Sequence, residues 1–470
     1  MSTPRVAVVG GGVSGLAAAW RLQRSGRCEV VVLEQSGRTG GVLHRGAVPG
    51  GPPALTADLG AEALLARRPE ALRLAEEAGL AGELEHPVTS RAAIWSRGRL
   101  HPMPAGTLMG VPGDPAALAG LLEPAEVARA AAEPERTWEP VDGDVDVASW
   151  VGGRLGPAVV DRLVEPLLGG VYAGHADRLS LRATVPQLWP VAASGESLLR
   201  AVAGRTGAGT AAGGGTPAAP VFAGLRGGVA RLAETLTAAL DVRMSSAVHD
   251  LARRPGGGFT LRVGPRPAPE LLEVDAVVVA LPAGRAARLL TTEVPAAASA
   301  LGRVRTASTA LCTVVLPAGT FDGLVDAGPL SGVLVPAVEG RLVKAMTFSS
   351  AKWAWVREAA GGADVLRLSV GRAGEEQVLQ RSDDELLAAA LADAAALLDR
   401  PLTPSAALVT RWGGALPQYD VGHLDLVAAA QQAAGAVPGL ALAGATYGGV
   451  GIPACVATAD AAAERVLADL

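Results

Sequence analysis

Residues 5–20 read RVAVVGGGVSGLAAAW. The run up to Val9 is apolar and valine-rich, as in a buried parallel strand, and from Gly15 on helix formers continue to a stop at Gly26. Between them stands Gly10-x-Gly12-x-x-Gly15. Alone such a triplet is weak evidence, but here a strand precedes it, a helix follows it and an acid lies at the right distance. Gly10 permits the tight turn, Gly12 lets backbone approach a pyrophosphate, and Gly15 lets helix and strand pack closely. Gly11, Val13, Ser14 and Leu16 complete the predicted cradle, whose amides and helix dipole favour phosphate. The next apolar run, CEVVVLE (28–34), ends on Glu34, nineteen positions after Gly15. A carboxylate there accepts hydrogen bonds from ribose hydroxyls and disfavours a 2′-phosphate, so NADP is not expected. The stretch predicts a Rossmann-like α/β unit that holds a dinucleotide.

At 470 residues the chain suggests two or three domains. Its net charge is −5 with 19% charged residues, which gives no basic surface for nucleic acid. Lys344 and Lys352 are the only lysines. Cys28, Cys312 and Cys455 are widely separated and odd in number, so neither a disulfide framework nor a metal site is expected, and a reducing compartment is. The N-terminus superficially resembles a signal peptide, but three consecutive glycines make a poor apolar helix. Residues 426–459 carry no charged side chain, and roughly 20 apolar residues suffice to cross a bilayer. Two Gln residues, Pro438, Pro453 and the run Thr446–Gly451 would interrupt a helix where lipid cannot satisfy freed backbone groups. A buried strand, turn and helix are expected instead. There is no HExxH, GxxxxGK[ST] or GxSxG, and the carboxylate pairs Glu375-Glu376 and Asp383-Asp384 lie in polar segments that read as solvated. No side-chain acid or base is assigned.

The segment EQSGRTGG (34–41) places Arg38, Gly40 and Gly41 just beyond the acid. This spacing resembles the flavin amine oxidase and carotenoid desaturase superfamily, in which the segment lines the flavin side of the pyrophosphate. The resemblance implies FAD, held by Gln35, Arg38, Gly40, Gly41 and Val42, and by Ala57, Leu59 and Gly60 of the stretch before Glu62. It also implies a discontinuous flavin domain, assigned to residues 1–89, 221–294 and 411–470. DVRMSSAVHDLARR (241–254) reads as a strand carrying Val248 past the adenine, and EVDAVVVALPAGRAARLL (273–290) as a buried strand and helix. The uncharged tail resembles the returning segment over the isoalloxazine, with Val450, Gly451 and Ile452 closest. Residues 90–220 are expected to be a mostly helical domain covering the substrate pocket, with a candidate membrane face. Residues 295–410 are expected to be a strand-rich substrate domain. The low-complexity run 203–220 reads as a loop.

LHPMPAGTLMGVP (100–112), LVEPLLGGVYAGHADRLSLRATVPQL (163–188), TFSSAKWAW (347–355), RWGGALPQYDVGH (411–423) and AGATYGGVGIPACV (443–456) resemble the matching stretches of protoporphyrinogen and coproporphyrinogen oxidases. With the front end they run through nearly the whole chain, and the first and third are most similar to the bacterial, coproporphyrin-forming branch. The resemblance implies six-electron oxidation of coproporphyrinogen III to coproporphyrin III in haem biosynthesis, with O2 as acceptor and H2O2 as by-product. Protoporphyrinogen IX as substrate is one alternative; a flavin amine oxidase or carotenoid desaturase is another; a non-enzymatic binder of the same fold is a third. Lys352, Tyr172, His175, Arg178 and Arg67 are the candidates to meet substrate carboxylates. Lys352 could equally be an exposed lysine at a strand end, one of Arg67 and Arg68 a helix-face residue, and His175, where relatives carry an acid, a packing residue. Trp412 could contact the cofactor or fill core; Tyr419 reads as core, and His101 and Met103 as loop. A cytoplasmic protein is expected, at most peripheral to a membrane, handing product to a ferrochelatase as a transient partner.

Overall fold

The structure is a computed structural model that describes residues 3–207, 220–326 and 328–470. Most of the low-complexity run, residues 208–219, lies outside them. The valine-rich runs assemble a five-stranded parallel sheet in the order Val242–Arg243, Glu29–Leu33, Arg5–Val9, Ala276–Val279, Leu440–Leu442. Alternate residues of each run feed two different cores, which is why the runs are apolar throughout. Val6, Val8, Val32 and Val278 pack on helices Val13–Arg24, Ala230–Ala239 and Ile452–Asp469. Ala7, Val9, Val31, Val277 and Val279 pack on helices Ala283–Leu290, Pro295–Gly302 and His423–Gly435 and on a small antiparallel sheet. The first and last helices meet through small residues, Ala17, Ala18 and Ala19 with Ala459, Ala462 and Ala463, all buried.

A second sheet of seven strands runs Ala406–Pro417, Thr306–Leu316, Asp364–Val370, Val343–Phe348, Gly332–Leu334, Ala92–Ser96, Arg99–Pro102. It is antiparallel except where Gly332–Leu334 meets Ala92–Ser96. One face is covered by helix Asp383–Leu398, whose Leu386, Ala390, Ala394 and Leu397 recur at helical spacing. The remaining helices, among them Val147–Leu155, Glu165–Tyr172 and Leu198–Thr206, form a layer with its own core.

Several expectations are revised. Residues 90–220 do not open with helix: the hairpin Ala92–Pro102 completes the edge of the seven-stranded sheet, since Ala93 and Trp95 belong to that sheet's core. His101 and the start of the predicted loop are therefore strand, and His101 Nε2 bonds to the Ser96 carbonyl at 3.0 Å. The boundary at 410/411 falls inside the long strand Ala406–Pro417. Residues 241–254 are two strands, because Ser245 at φ 53° turns the chain between the parallel strand Val242–Arg243 and the antiparallel strand Val248–Arg253. Among the described residues no helix is long and apolar enough to cross a membrane. The uncharged stretch becomes the end of helix His423–Gly435, strand Leu440–Leu442, a turn and the start of helix Ile452–Asp469.

Candidate active site

Two of the three cradle glycines leave no room for a larger residue. Gly10 has φ 110°, and a Cβ on it would lie 2.4 Å from the Ala280 carbonyl oxygen. A Cβ on Gly15 would lie 1.8 Å from the Gly10 carbonyl oxygen. At Gly12 a Cβ would meet no protein atom within 4 Å. Packing explains the first and third glycines; the second is explained only by something that comes close from outside. Gly12 begins helix Val13–Arg24 without a side-chain cap, so first-turn amides stay free for an anion. Helix Ile452–Asp469, packed beside it, starts at Gly451, also without a side-chain cap. Glu34 Oε2 accepts from Gly11 N at 2.8 Å and Oε1 from Ser36 N at 2.8 Å, which holds the acid beside the loop. Gly40 N donates to Gly11 O at 2.8 Å, so the double glycine closes on the same cradle. Ser246 N donates to Glu34 O at 2.7 Å and brings Val248 past the end of the second strand. Gln35 accepts from Arg285 Nη1. Open backbone, free helix amides and a placed carboxylate fit a dinucleotide with an unphosphorylated ribose.

A platform lies next to the cradle. Trp412 Nε1 donates to Leu59 O at 2.8 Å, and a Cβ on Gly60 would reach 2.0 Å from Val42 O and 3.0 Å from the Trp412 ring. Arg38 stacks 5.5 Å over that ring and donates to Gly41 O at 2.9 Å. Burial lowers the Arg38 pKa, against the pull of Glu34. Ala57 is buried on the short strand that leads into Leu59, whereas Val42 is 37% exposed. The tail is held from behind by Tyr419, which the sequence reading left as core, and by His423, to which it gave no role. Tyr419 Oη donates to Ala445 O at 2.6 Å and accepts from Gly449 N at 2.7 Å. His423 stacks on Tyr419 at 3.9 Å and bonds to Thr446 O at 2.9 Å. Gly449 sits at φ 126°, and Val450 packs toward the helical layer. A Tyr and a His four residues apart, ahead of a glycine-rich turn, are the available sequence signal for this brace.

Glu62 is the centre of a buried network. Its carboxylate accepts from Lys352 Nζ at 3.0 Å, Trp353 Nε1 at 2.9 Å, Ser349 Oγ at 2.6 Å and Arg367 Nη1 at 2.7 Å. Burial works to raise its pKa, but Lys352 and Arg367 overcome it and hold the carboxyl well below the usual range. Arg367 also donates to the Gly60 carbonyl, which ties the network to the platform. Lys352 is thus not exposed at a strand end: it closes the short helix Ser349–Lys352, its side chain is 14% exposed, and it shares the Glu62 carboxylate with Arg367. Asp58, one turn of chain before, accepts from Val229 N at 3.1 Å and Ala230 N at 3.4 Å, and burial pushes its pKa up to about 7.

The other substrate candidates differ in burial and bonding. Tyr172 is buried against Tyr419, with ring centroids 5.4 Å apart, and burial raises its pKa to about 12. His175 bonds through Nδ1 to Glu165 at 2.9 Å and through Nε2 to Ala373 O at 3.2 Å; the Glu165 bond raises its pKa. Both ring nitrogens are used, as a packing role requires. Arg178 and Arg67 are exposed.

The parallel sheet, the glycine cradle and the two uncapped helices define a dinucleotide-binding protein, and the family to which the chain belongs makes it a flavoprotein oxidoreductase whose cofactor is FAD. The chain belongs to the flavin containing amine oxidoreductase family, whose model matches residues 13–467. Within it, the chain is 39% identical over 475 aligned positions to the coproporphyrinogen III oxidase of Mycobacterium leprae, covering 100% of both chains. It is 30% identical to the protoporphyrinogen oxidase of Bos taurus, covering 98% of each. A crystal structure from Exiguobacterium sp. 255-15, provisionally named a protoporphyrinogen oxidase, superposes with a TM-score of 0.85 at 30% identity over 100% of both chains.

Proposed function

We propose that the protein oxidises coproporphyrinogen III to coproporphyrin III. The observation that carries this reading is the 39% identity to a protein of that name, over an alignment that covers 100% of both chains. Removal of six electrons and six protons uses three O2 and releases three H2O2. Bound FAD supplies the two-electron acceptor for each of three rounds. The glycines and helix amides of this chain hold the pyrophosphate, Glu34 the ribose, and Trp412, Gly60 and the Tyr419-braced turn position the ring. A mechanism without a side-chain base is supported by the state of the nearby acids: Glu62 is ion-paired and Asp58 is spent on backbone amides. Protons are then left to the pyrrole nitrogens and tautomers of the macrocycle. Protoporphyrinogen IX is the second reading, favoured by the 30% identity to the bovine enzyme. We place the protein in the cytoplasm, at most on a membrane surface, passing product to a chelatase.

The test is porphyrin fluorescence appearing aerobically from each porphyrinogen with the purified yellow protein. Faster turnover of coproporphyrinogen III, with peroxide at about three per porphyrin as a two-electron cofactor cycle requires, is expected. Preference for protoporphyrinogen IX, or no turnover of either, overturns the reading.

A further inference from the structure

His175 follows the end of helix Glu165–Tyr172, at the seam between the helical layer and the seven-stranded sheet. The chain turns there through Ala173, which is fully buried and sits in the left-handed region at φ 52°, a conformation that needs support from outside. The support comes from Ala373, in the loop after strand Asp364–Val370, which packs against Ala173. Ala373 N donates to Ala173 O at 2.7 Å, and the Ala373 carbonyl oxygen lies 3.2 Å from His175 Nε2. On the other side of the ring, Nδ1 lies 2.9 Å from Glu165 Oε1.

Both atoms that face the ring are acceptors. A carbonyl oxygen can only accept, and Glu165 accepts at its other oxygen as well, from Ala176 N at 2.6 Å. A neutral imidazole has one N–H and serves one of these neighbours, while its other nitrogen points a lone pair at an oxygen. Only the imidazolium donates to both. We propose that His175 is a proton-operated latch: protonated, it fastens the helical layer to the sheet through Ala373, and on losing a proton it keeps Glu165 and releases Ala373. The carboxylate keeps its hydrogen bond because the charge-assisted one is the stronger. The side chain is 30% exposed, so solvent reaches the proton. Around the ring, the helical side supplies Glu165, with Asp161 beside it, and Asp177 in the next turn; the sheet side supplies Glu375, paired with Arg372 at 3.7 Å, and Lys344 across a small cavity from Glu165. The bond to Glu165 raises the His175 pKa first of all, burial opposes it, and Asp177 and Glu375 add to the rise. With the folded pKa above the unfolded value of about 6.5, the stability the latch contributes is present in full below about pH 6.5 and is lost as pH rises through the folded value.

The experiment uses the FAD-loaded full chain. Nitrogen NMR of protein labelled at histidine reads the protonation of each ring nitrogen, and the His175 signal, one of six, is identified by its loss in His175→Gln. Two protonated nitrogens at about pH 6 and a midpoint above the ordinary value of about 6.5 are expected, with Glu165→Gln moving the midpoint down. Hydrogen exchange of the wild type, which needs no variant to fold, is followed from about pH 6 to about pH 9 by mass spectrometry with fragmentation that isolates the Ala373 amide. After correction for the intrinsic rate, protection of that amide is expected to fall about tenfold through the His175 midpoint, as loss of one charge-assisted bond implies. In His175→Gln, whose side chain does not titrate, protection stays level. A neutral His175 at about pH 6, or wild-type protection that is level through the midpoint, overturns the latch. Neither readout involves a porphyrinogen, so the latch and the substrate reading stand or fall separately.

Discussion

Glu62 brings a negative charge to a place where its side chain is 8% exposed, and it is tolerated because two cations and two neutral donors surround it. Its replacement by Gln leaves Lys352 and Arg367 buried without a counter-charge, which costs about 3–5 kcal/mol near neutral pH. A depressed carboxyl stabilises the fold in full above its unfolded pKa, about 4.3, and that stability is lost as pH falls below it toward the folded value. Asp58 runs the other way. Its folded pKa is raised to about 7, so its share of stability is full below the unfolded value of about 3.9 and is lost as pH rises through about 7. Urea unfolding across this range should show Glu62→Gln losing most at the neutral end, whereas Asp58→Asn flattens the decline between about pH 4 and 7. A wild-type profile in either variant would refute the assignment. The glycines of the cradle could be read from the sequence because their role depends on backbone within a few residues. Glu62 could not, since its partners stand 287 to 305 positions away.

At the scale of elements, strands and helices of the dinucleotide unit were legible wherever valine runs and glycine stops punctuate the chain. The hairpin Ala92–Pro102 was not, because what fixes it at the sheet edge is a parallel neighbour from residues 332–334, far along the chain. The turn Ala445–Gly451 was expected beside the flavin, but what fixes it was hidden: one hydroxyl, that of Tyr419, both donates to it and accepts from it. Tyr419→Phe keeps the ring packing on Tyr172 and His423 and leaves a partly buried N–H and C=O without this partner, a penalty of about 1–3 kcal/mol in all. We expect FAD titration of the apoprotein to show affinity weakened roughly tenfold, as 1.4 kcal/mol implies. Unchanged affinity would mean that the turn keeps its shape without the brace.

For the molecule as a whole, the parallel sheet is drawn from separated parts of the chain, and we propose that FAD contacts three of them: the front cradle, the Val248 strand and the C-terminal turn. Binding to the folded state alone raises stability by about 2.7 kcal/mol at a hundredfold excess over Kd. Protein stripped of FAD should therefore melt lower than the holoprotein and recover in proportion to the logarithm of added FAD; a melting temperature indifferent to FAD would deny that the site spans these parts. The sequence by itself determined the parallel sheet, the dinucleotide cradle and its acid, because short-range spacing of glycine, valine and glutamate is sufficient to specify a strand, a turn and a helix that point amides at phosphate. Only the tertiary structure decided which charges are free. Lys352 looked available and is drawn onto Glu62, 290 positions away. Ion pairing joins residues hundreds of positions apart through an interior of low dielectric, and no local pattern in the chain records it.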